Sequence, residues 1–290
     1  ATYDEACNIG YCSIMGATIG GWGGNYTTVS TLQEFVVAVA GTQTAVILVN
    51  GTLSGSTQVA IGSGKSILGL PGSALHGVSL SLAGSRNVIL RNLRITNTTG
   101  HAISLSSSRS VWVDHCDLST SSATSSLLSI SHGSDYITVT QNFIHDHPST
   151  AISVSQSSDN VAEDEGKFHI TFIGNHVKNV GTAVSFGTGT GHLFNSYYEN
   201  ATMGINARNG ADLLVESSVF EGSTTAIFSS DSAKPGKVTV VDVVLGEGIN
   251  TAPKGEMNAD SVPYPYDWAV LSSSVVKATV VKEAGAKLHY

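Results

Sequence analysis

Asn87-Val-Ile-Leu-Arg-Asn-Leu-Arg-Ile95 is followed by Ser110-Val-Trp-Val-Asp-His-Cys-Asp-Leu118, and the two stretches share a polarity pattern that keeps returning. It comes back as Tyr136-Ile-Thr-Val-Thr-Gln-Asn-Phe-Ile144 and His169-Ile-Thr-Phe-Ile-Gly-Asn-His-Val177. Asp212-Leu-Leu-Val-Glu-Ser-Ser-Val-Phe220 and Lys237-Val-Thr-Val-Val-Asp-Val-Val-Leu245 repeat it again. Positions two and four are apolar throughout, as in a strand with one buried face. Position seven holds Cys116, Asn142, Asn175 and Ser218, small or polar residues suited to stacking at a corner. The starts at 87, 110, 136 and 169 lie 23, 26 and 33 residues apart, which is the spacing of a repeat architecture. Strands that return at such intervals with no helical pattern between them predict an all-β chain: a single right-handed parallel β-helix. Each coil then buries its inward side chains on the coils above and below.

Such a fold has no deep pocket built into it. Its chemistry is expected in a shallow groove along one sheet, shaped by loops at the coil corners and suited to a long linear polymer. Function has to be argued from the groove residues, since the fold alone does not determine it.

Charged residues make up only 12% of the 290, and Gly, Ser, Thr, Asn and Val are abundant, a composition that points to a β-rich secreted protein. The net charge of −8 argues against a nucleic-acid partner, because nothing neutralises a run of phosphates. It also gives no general attraction to an acidic polysaccharide, so such a ligand needs local cationic groups. The first residues show no basic and apolar leader, and no stretch is long enough to span a bilayer, so a soluble, mature, extracellular form is expected. Asn25, Asn50, Asn97 and Asn200 head Asn-X-Ser/Thr sequons, candidate glycosylation sites that chance also produces in so Asn- and Thr-rich a chain. Cys7 and Cys12 are close enough for a local disulfide pinning the amino terminus, whereas Cys116 sits at an inward position and reads as a buried thiol. No Cys/His cluster suggests zinc.

Residues 1–25 are Gly-rich and read as a covering loop. Thr31 to Ala40 reads as a helix, with Thr31 as N-cap, Glu34 completing a capping box, and Leu32, Phe35, Val36 and Val39 on one face. Laid across the first coil, it would cover an edge of unpaired backbone. Strand-like runs follow to about Leu245. Pro263-Tyr-Pro-Tyr-Asp-Trp268 is then extended, and Ser272 to Glu283 closes the chain as a helix or strand. No linker interrupts residues 1–290, so one domain is expected.

Val111-Trp-Val-Asp-His115, His132-Gly-Ser-Asp-Tyr-Ile-Thr-Val139 and His145-Asp-His147 resemble motifs of the family 1 pectate and pectin lyases, particularly the fungal secreted ones. Phe186-Gly, Gly191-His192, Asn195-Ser-Tyr-Tyr-Glu-Asn200, Gly204-Ile-Asn-Ala-Arg208 and Leu213-Leu-Val-Glu216 continue the match. Gly10-Tyr11 and Val262-Pro-Tyr264 extend it to both ends. The resemblance implies a parallel β-helix acting on pectic polysaccharide. In that family calcium bridges protein carboxylates and the uronate, and an Arg removes the C5 proton in a β-elimination. Calcium requires hard oxygen ligands, and cations must stabilise the charge that develops on the uronate carboxyl.

At the positions the resemblance assigns, this chain carries other side chains. His101 stands where the family has an Asp before Ala-Ile. Ser125-Ser-Leu-Leu-Ser129 replaces a pair of acids four apart. Ser149, behind Pro148, replaces a Lys, and Thr182-Ala-Val-Ser185 replaces an Arg-X-Pro-Arg element. Pectin lyases work without calcium but still use Arg in the groove, and none occupies those places. No metal ligand set and no cofactor are therefore expected, although the family implies calcium.

The motifs that survive have structural readings beside functional ones. Trp112 alternates with Val111 and Val113, so one of these sets is core. Asp114-His115 suits a polar pair fixing a loop. His145, Asp146 and Arg208 are candidates for substrate binding, with His145 and His147 expected to point in different directions. Arg208 is the best remaining cation for a carboxylate, or else a structural Arg at a coil corner. Glu163-Asp-Glu165 reads as a solvated loop, with a surface cation site as the alternative reading.

Four functions compete. One is a pectate-lyase-like protein whose classical site is lost and which binds an acidic plant cell-wall polysaccharide. A second is an active lyase with an altered, calcium-independent site built on His101, His147 and Arg208. A third, a hydrolase with paired carboxylates, lacks a convincing Asp/Glu pair. The fourth is a purely structural surface protein. A monomer with no nucleic-acid or membrane partner is expected in each case.

Overall fold

The computed structural model describes residues 1–155, 161–257 and 264–290. Val262 and Pro263, named above in the resemblance and the extended segment, lie outside those residues. The chain winds into a parallel β-helix of about ten turns. Among the described residues every pairing between strands is parallel, and the pairings form three stacks along the axis, called here sheets A, B and C.

Sheet A stacks Asn25–Val29, Ala45–Val49, Lys65–Gly69, Arg86–Arg91 and Arg109–Asp114 in turn. It continues through Asp135–Thr140, His169–Ile173, Thr190–Phe194, the start of Asp212–Glu221, and Lys237–Val244. Sheet B includes Arg94–Thr96, Asp117–Ser119 and residues 143–147, 176–180 and 197–201. Sheet C includes Ile103–Ser106, Leu128–Ser131 and residues 150–154, 182–187 and 203–208.

The recurring nine-residue phrase is a sheet A strand, a turn and the first residues of a sheet B strand. Val88, Val111, Ile137 and Ile170 pair in register, as do Leu213 and Val238, so positions two and four point inward as alternation requires. Each of these side chains is at most 2% exposed, as are Leu90, Val113, Val139, Phe172 and Val215 at position four. Val240, in the same strand as Val238, is exposed.

At position six the backbone turns left-handed, with φ of 58° at Asn92, 48° at His115, 50° at Gln141 and 55° at Asn195. Asn is favoured there because its short polar side chain tolerates that conformation. Position seven then forms a buried ladder. Asn142 Oδ1 accepts from the Cys116 backbone N–H at 2.8 Å, and Asn142 Nδ2 donates to Asn175 Oδ1 at 3.0 Å. Asn175 N–H donates to Ser196 Oγ at 3.1 Å, linking one coil to the next. These bonds satisfy backbone groups that the corner removes from the sheet ladders.

Helix α1, Leu32–Val39, is capped as expected: Thr31 Oγ1 accepts from Glu34 N–H, and the Glu34 carboxylate accepts from Thr31 N–H. Phe35 and Val39 pack on Val29, Ile47 and Leu53 of the first coils and close that end of the core. Val36 differs from expectation and is exposed, because the buried stripe narrows to Leu32, Phe35 and Val39. The segment after Leu271 forms helix α3, Ser273–Glu283, with Ser272 as N-cap. It lies against the side of the solenoid rather than across its end, burying Val276, Val280 and Ala284 on Tyr197 and Val219. A short helix α2, Val161–Asp164, precedes the sheet A strand that starts at His169. Among the described residues, no helix is long and apolar enough to cross a membrane.

Cys7 and Cys12 form a disulfide with Cα atoms 6.0 Å apart. It packs with Trp112, Val46, Leu48, Leu68 and Ile89 on the outer face of sheet A. That placement decides the Val111-Trp112-Val113 alternation: both valines are in the main core, and Trp112 is buried beneath the amino-terminal segment. Cys116 is a free thiol inside the core, and burial pushes it up to about 12.

Candidate functional site

A second phrase, four residues long and not picked out from the sequence above, paves sheet C. Leu80-Ser-Leu-Ala83, Ile103-Ser-Leu-Ser106, Leu128-Ser-Ile-Ser131, Ile152-Ser-Val-Ser155, Val184-Ser-Phe-Gly187 and Ile205-Asn-Ala-Arg208 pair in register. The first and third residues of each are buried in the core. Alternation therefore turns the second residue away from the core and aligns Ser81, Ser104, Ser129, Ser153, Ser185 and Asn206 in one column, the first three half-buried and the last three buried. Strand spacing of about 4.8 Å gives this column a length of roughly 24 Å over its five steps. The signal was legible as an apolar-Ser-apolar repeat, but each copy is too short to stand out from so Ser-rich a chain.

The column leads to a cavity of about 430 Å³ lined by Thr150, Thr182, Ser185, Asn206, Arg208 and Phe228, among others. Arg208 ends its strand here. Its guanidinium donates to the Asp231 carbonyl at 2.8 Å and approaches Ser185 Oγ at 3.5 Å, while its Nε is buried without a partner. Arg208 also borders a neighbouring cavity of about 600 Å³ that Glu165, Asp231 and Lys234 share.

His101 lies four coils away at the other end of the face. Its Nδ1 is 2.7 Å from the Ser126 carbonyl, which can only accept, so Nδ1 carries a hydrogen. In the neutral ring, that leaves the Nε2 lone pair free. Ser126 Oγ continues the contact to Ser153 Oγ at 2.7 Å. Four strand steps place His101 and Arg208 about 19 Å apart along the axis, so they do not share one reacting centre.

The other candidates lie elsewhere. His147 is 1% exposed; its Nδ1 donates to the Thr120 carbonyl at 3.1 Å, and its Nε2 is buried without a partner. His145 is held on sheet B. Its Nε2 is 2.8 Å from Asp117 and its Nδ1 2.8 Å from Asp146, and its ring stacks on Phe143. Burial works against its charged form, yet the two carboxylates hold its pKa above the ordinary histidine value. Asp146 accepts from His145 and from Asn179 Nδ2, which together lower its pKa. Regular alternation would put residues 145 and 147 on one face. Asp146, with φ of 52°, interrupts the strand and turns the two rings apart. Neither His145 nor Asp146 belongs to the column on sheet C.

The Asp114-His115 pair belongs to a buried network on sheet A. Arg91 bridges Asp114 and Glu5 at 2.6 Å each and lies over the Trp112 ring. Trp112 Nε1 donates to Thr140 Oγ1, which donates to Asp114 Oδ1. His115 Nδ1 comes within 2.9 Å of Asp114 Oδ2 without the alignment of a hydrogen bond. This network ties residues 1–12 to the solenoid. Glu163, at the end of sheet C, pairs with His132, and the neighbouring Asp164 accepts from Ser155 Oγ and Gly133 N–H.

The positions that the family resemblance gives to calcium hold His101, Ser125 and Ser129. Neutral hydroxyls and an imidazole do not fit an ion that takes six to eight oxygens with carboxylates among them. Among the described residues, no group of three or more His, Cys, Asp or Glu side chains is placed to hold a metal. Asn25, Asn50, Asn97 and Asn200 are all exposed.

Comparison with known proteins agrees with this architecture. The pectate lyase family model matches residues 2–288. Pectate lyase B of Colletotrichum gloeosporioides is 41% identical over 303 residues, covering 100% of this chain and 88% of its own. Pectate lyase A of Aspergillus niger is 41% identical over 301 residues, covering 100% and 90%. Among solved structures, a pectate lyase from Bacillus sp. N165 in complex with trigalacturonate superposes with a TM-score of 0.82 at 23% identity. That likeness of fold covers 96% of this chain and 98% of that one. With a family model spanning almost every residue and relatives at this identity along its full length, the chain belongs to the pectate lyase family.

Proposed function

We propose that the chain is an extracellular protein that binds linear pectic polysaccharide along the outer face of sheet C without ordinary calcium-dependent β-elimination. Family membership supports the polymer class, and the trigalacturonate named for the Bacillus structure agrees with it. The half-buried row of Ser81, Ser104 and Ser129, followed along the same face by the cavity beside Arg208, suits a linear chain. The Cys7–Cys12 disulfide suits an oxidising compartment.

The observation that carries the reading is the side-chain inventory where lyase chemistry needs charge. β-Elimination removes the C5 proton, turns its electron pair into a C4–C5 double bond and breaks the C4–O4 bond, whose oxygen takes up a proton. The developing charge on the uronate carboxyl needs cations or a metal beside it. His101, Ser125, Ser129, Ser149 and Thr182 supply neither, and among the described residues lining the cavity Arg208 is the one guanidinium. The test is incubation with polygalacturonate and calcium, reading the ultraviolet absorbance of unsaturated uronate, alongside calorimetric binding of the same polymer. Binding without absorbance is expected; robust absorbance abolished by chelator overturns the reading.

One observation favours a second reading. A Nδ1–H tied to the Ser126 carbonyl presents the His101 Nε2 lone pair in the manner of a general base. If that base works, unsaturated product forms in chelator and disappears in His101→Ala.

A further inference from the structure

We infer that the start of sheet A carries a second binding site, a cavity beside Tyr11 that takes a neutral sugar ring rather than a uronate. The cavity measures about 560 Å³, within the range of small-molecule sites, and Tyr11, Tyr136, His169, Thr190, Asp212 and Tyr264 are among the residues that line it. It lies round the corner from the sheet C column, against the first residues of the strands Asp135–Thr140, His169–Ile173, Thr190–Phe194 and Asp212–Glu221. Four rings wall it. Tyr136 and His169 stack with centroids 5.6 Å apart, and Tyr11 stands edge-on to both of them and to Tyr264. The C–H groups of a sugar carry slight positive charge and suit the negative faces of such rings.

Polar groups with nothing to bond stand among these rings. Tyr11 is only 4% exposed and its backbone N–H is bonded to Thr171 Oγ1, yet among the described residues its hydroxyl has no partner. No described donor bonds the Asp212 carboxylate either, and its Oδ1 is buried. Burial holds the Asp212 pKa above the ordinary carboxylate value. Groups this deeply placed are normally satisfied, so the pair calls for a ligand that brings hydroxyls: one to donate to the carboxylate, another to meet the phenol. The surrounding charges select against ions of either sign. Asp212 opposes a uronate, as does Asp135, which already accepts from the His169 backbone N–H at 2.7 Å and Nδ1 at 2.8 Å. Arg109, its guanidinium 5.2 Å from the Tyr136 ring centroid, and Lys237, in register beside Asp212, oppose a cation.

The experiment is NMR titration of the full chain with the methyl glycosides of glucose, galactose, mannose and arabinose, read by saturation transfer to each ligand. Galacturonate and tetramethylammonium serve as the anionic and cationic controls. At least one neutral glycoside should bind with about millimolar affinity, more tightly than either control. Tyr11→Phe removes only the hydroxyl oxygen and should weaken that binding about fivefold, and Asp212→Asn about tenfold. Circular dichroism checks that both variants fold. Absence of saturable binding by every neutral glycoside overturns the inference, as does tighter binding of either control. Unchanged affinity in both folded variants also overturns it, because the sugar then sits elsewhere. Calorimetry with polygalacturonate tests the sheet C reading separately, so either proposal can fail while the other stands.

Discussion

Replacing Asn142 by Ala removes the oxygen that accepts the Cys116 N–H and the amide that donates to Val113 O and Asn175 Oδ1. All of these atoms are buried, so the deserted groups find no water and the side-chain volume is left empty. The expected loss is about 2–3 kcal/mol, read as a lower urea midpoint with an unchanged slope. An Asn142→Ala protein as stable as the parent would mean that the ladder is incidental to the corner. His145 makes a pH-dependent prediction at the same scale. Its folded pKa lies above the ordinary value of about 6.5, so its pairing with Asp117 and Asp146 is fully present below that value. The contribution is lost as pH rises through the folded pKa. The melting temperatures of the parent and His145→Gln should differ most near pH 5 and converge in mild alkali. A gap that widens with pH would contradict the assigned pairing.

Helix α1 shows at the element scale how local signals are read. Thr31→Ala should cost about 1 kcal/mol by removing the cap, and Phe35→Ala about 3–4 kcal/mol by opening the end of the core. Thermal melts of both variants check the order. Phe35→Ala should also raise the tendency to associate, since it loosens the cover over the first coil's edge. A capping box and a spaced apolar face are local features, which is why this helix was visible in the sequence. The sheet A phrase was equally visible, and its copies at 87, 110, 136, 169, 212 and 237 fall into the observed register. The copy starting at Thr190 escaped notice because its inward second position is Gly191. The Phe186 ring fills the space a larger side chain would take there, coming within 2.8 Å of where a Cβ would stand. Sheet C was legible only as pairs of apolar residues. The placement of His145 on sheet B and His147 in the interior depends on the left-handed bend at Asp146, which no local pattern announces.

For the whole molecule, catalysis depends on charges that separate coils must bring to one place. Each missing cationic contact beside a developing enolate typically costs about 3 kcal/mol of transition-state stabilisation, or about a hundredfold in rate. On the proposed reading, Ser149 and Thr182 occupy the positions of two cations, and Ser125 and Ser129 those of acids that would hold a third. Arg208 cannot replace three such contacts, and its guanidinium is already bonded to the Asp231 carbonyl. Cleavage of polygalacturonate at alkaline pH with added calcium should therefore be negligible. The four changes Ser125→Asp, Ser129→Asp, Ser149→Lys and Thr182→Arg should behave as one unit. Acids without the base leave a bound ion with nothing to remove the proton. A base without the acids leaves the proton insufficiently acidic. Single variants should consequently give little product, while the combination gives calcium-dependent absorbance well above the sum of its parts. Calorimetry on the double-acid variant separates the steps, since calcium affinity should appear there before any turnover does. Strong turnover by the unmodified chain would show that another set of residues on this face supplies the charge.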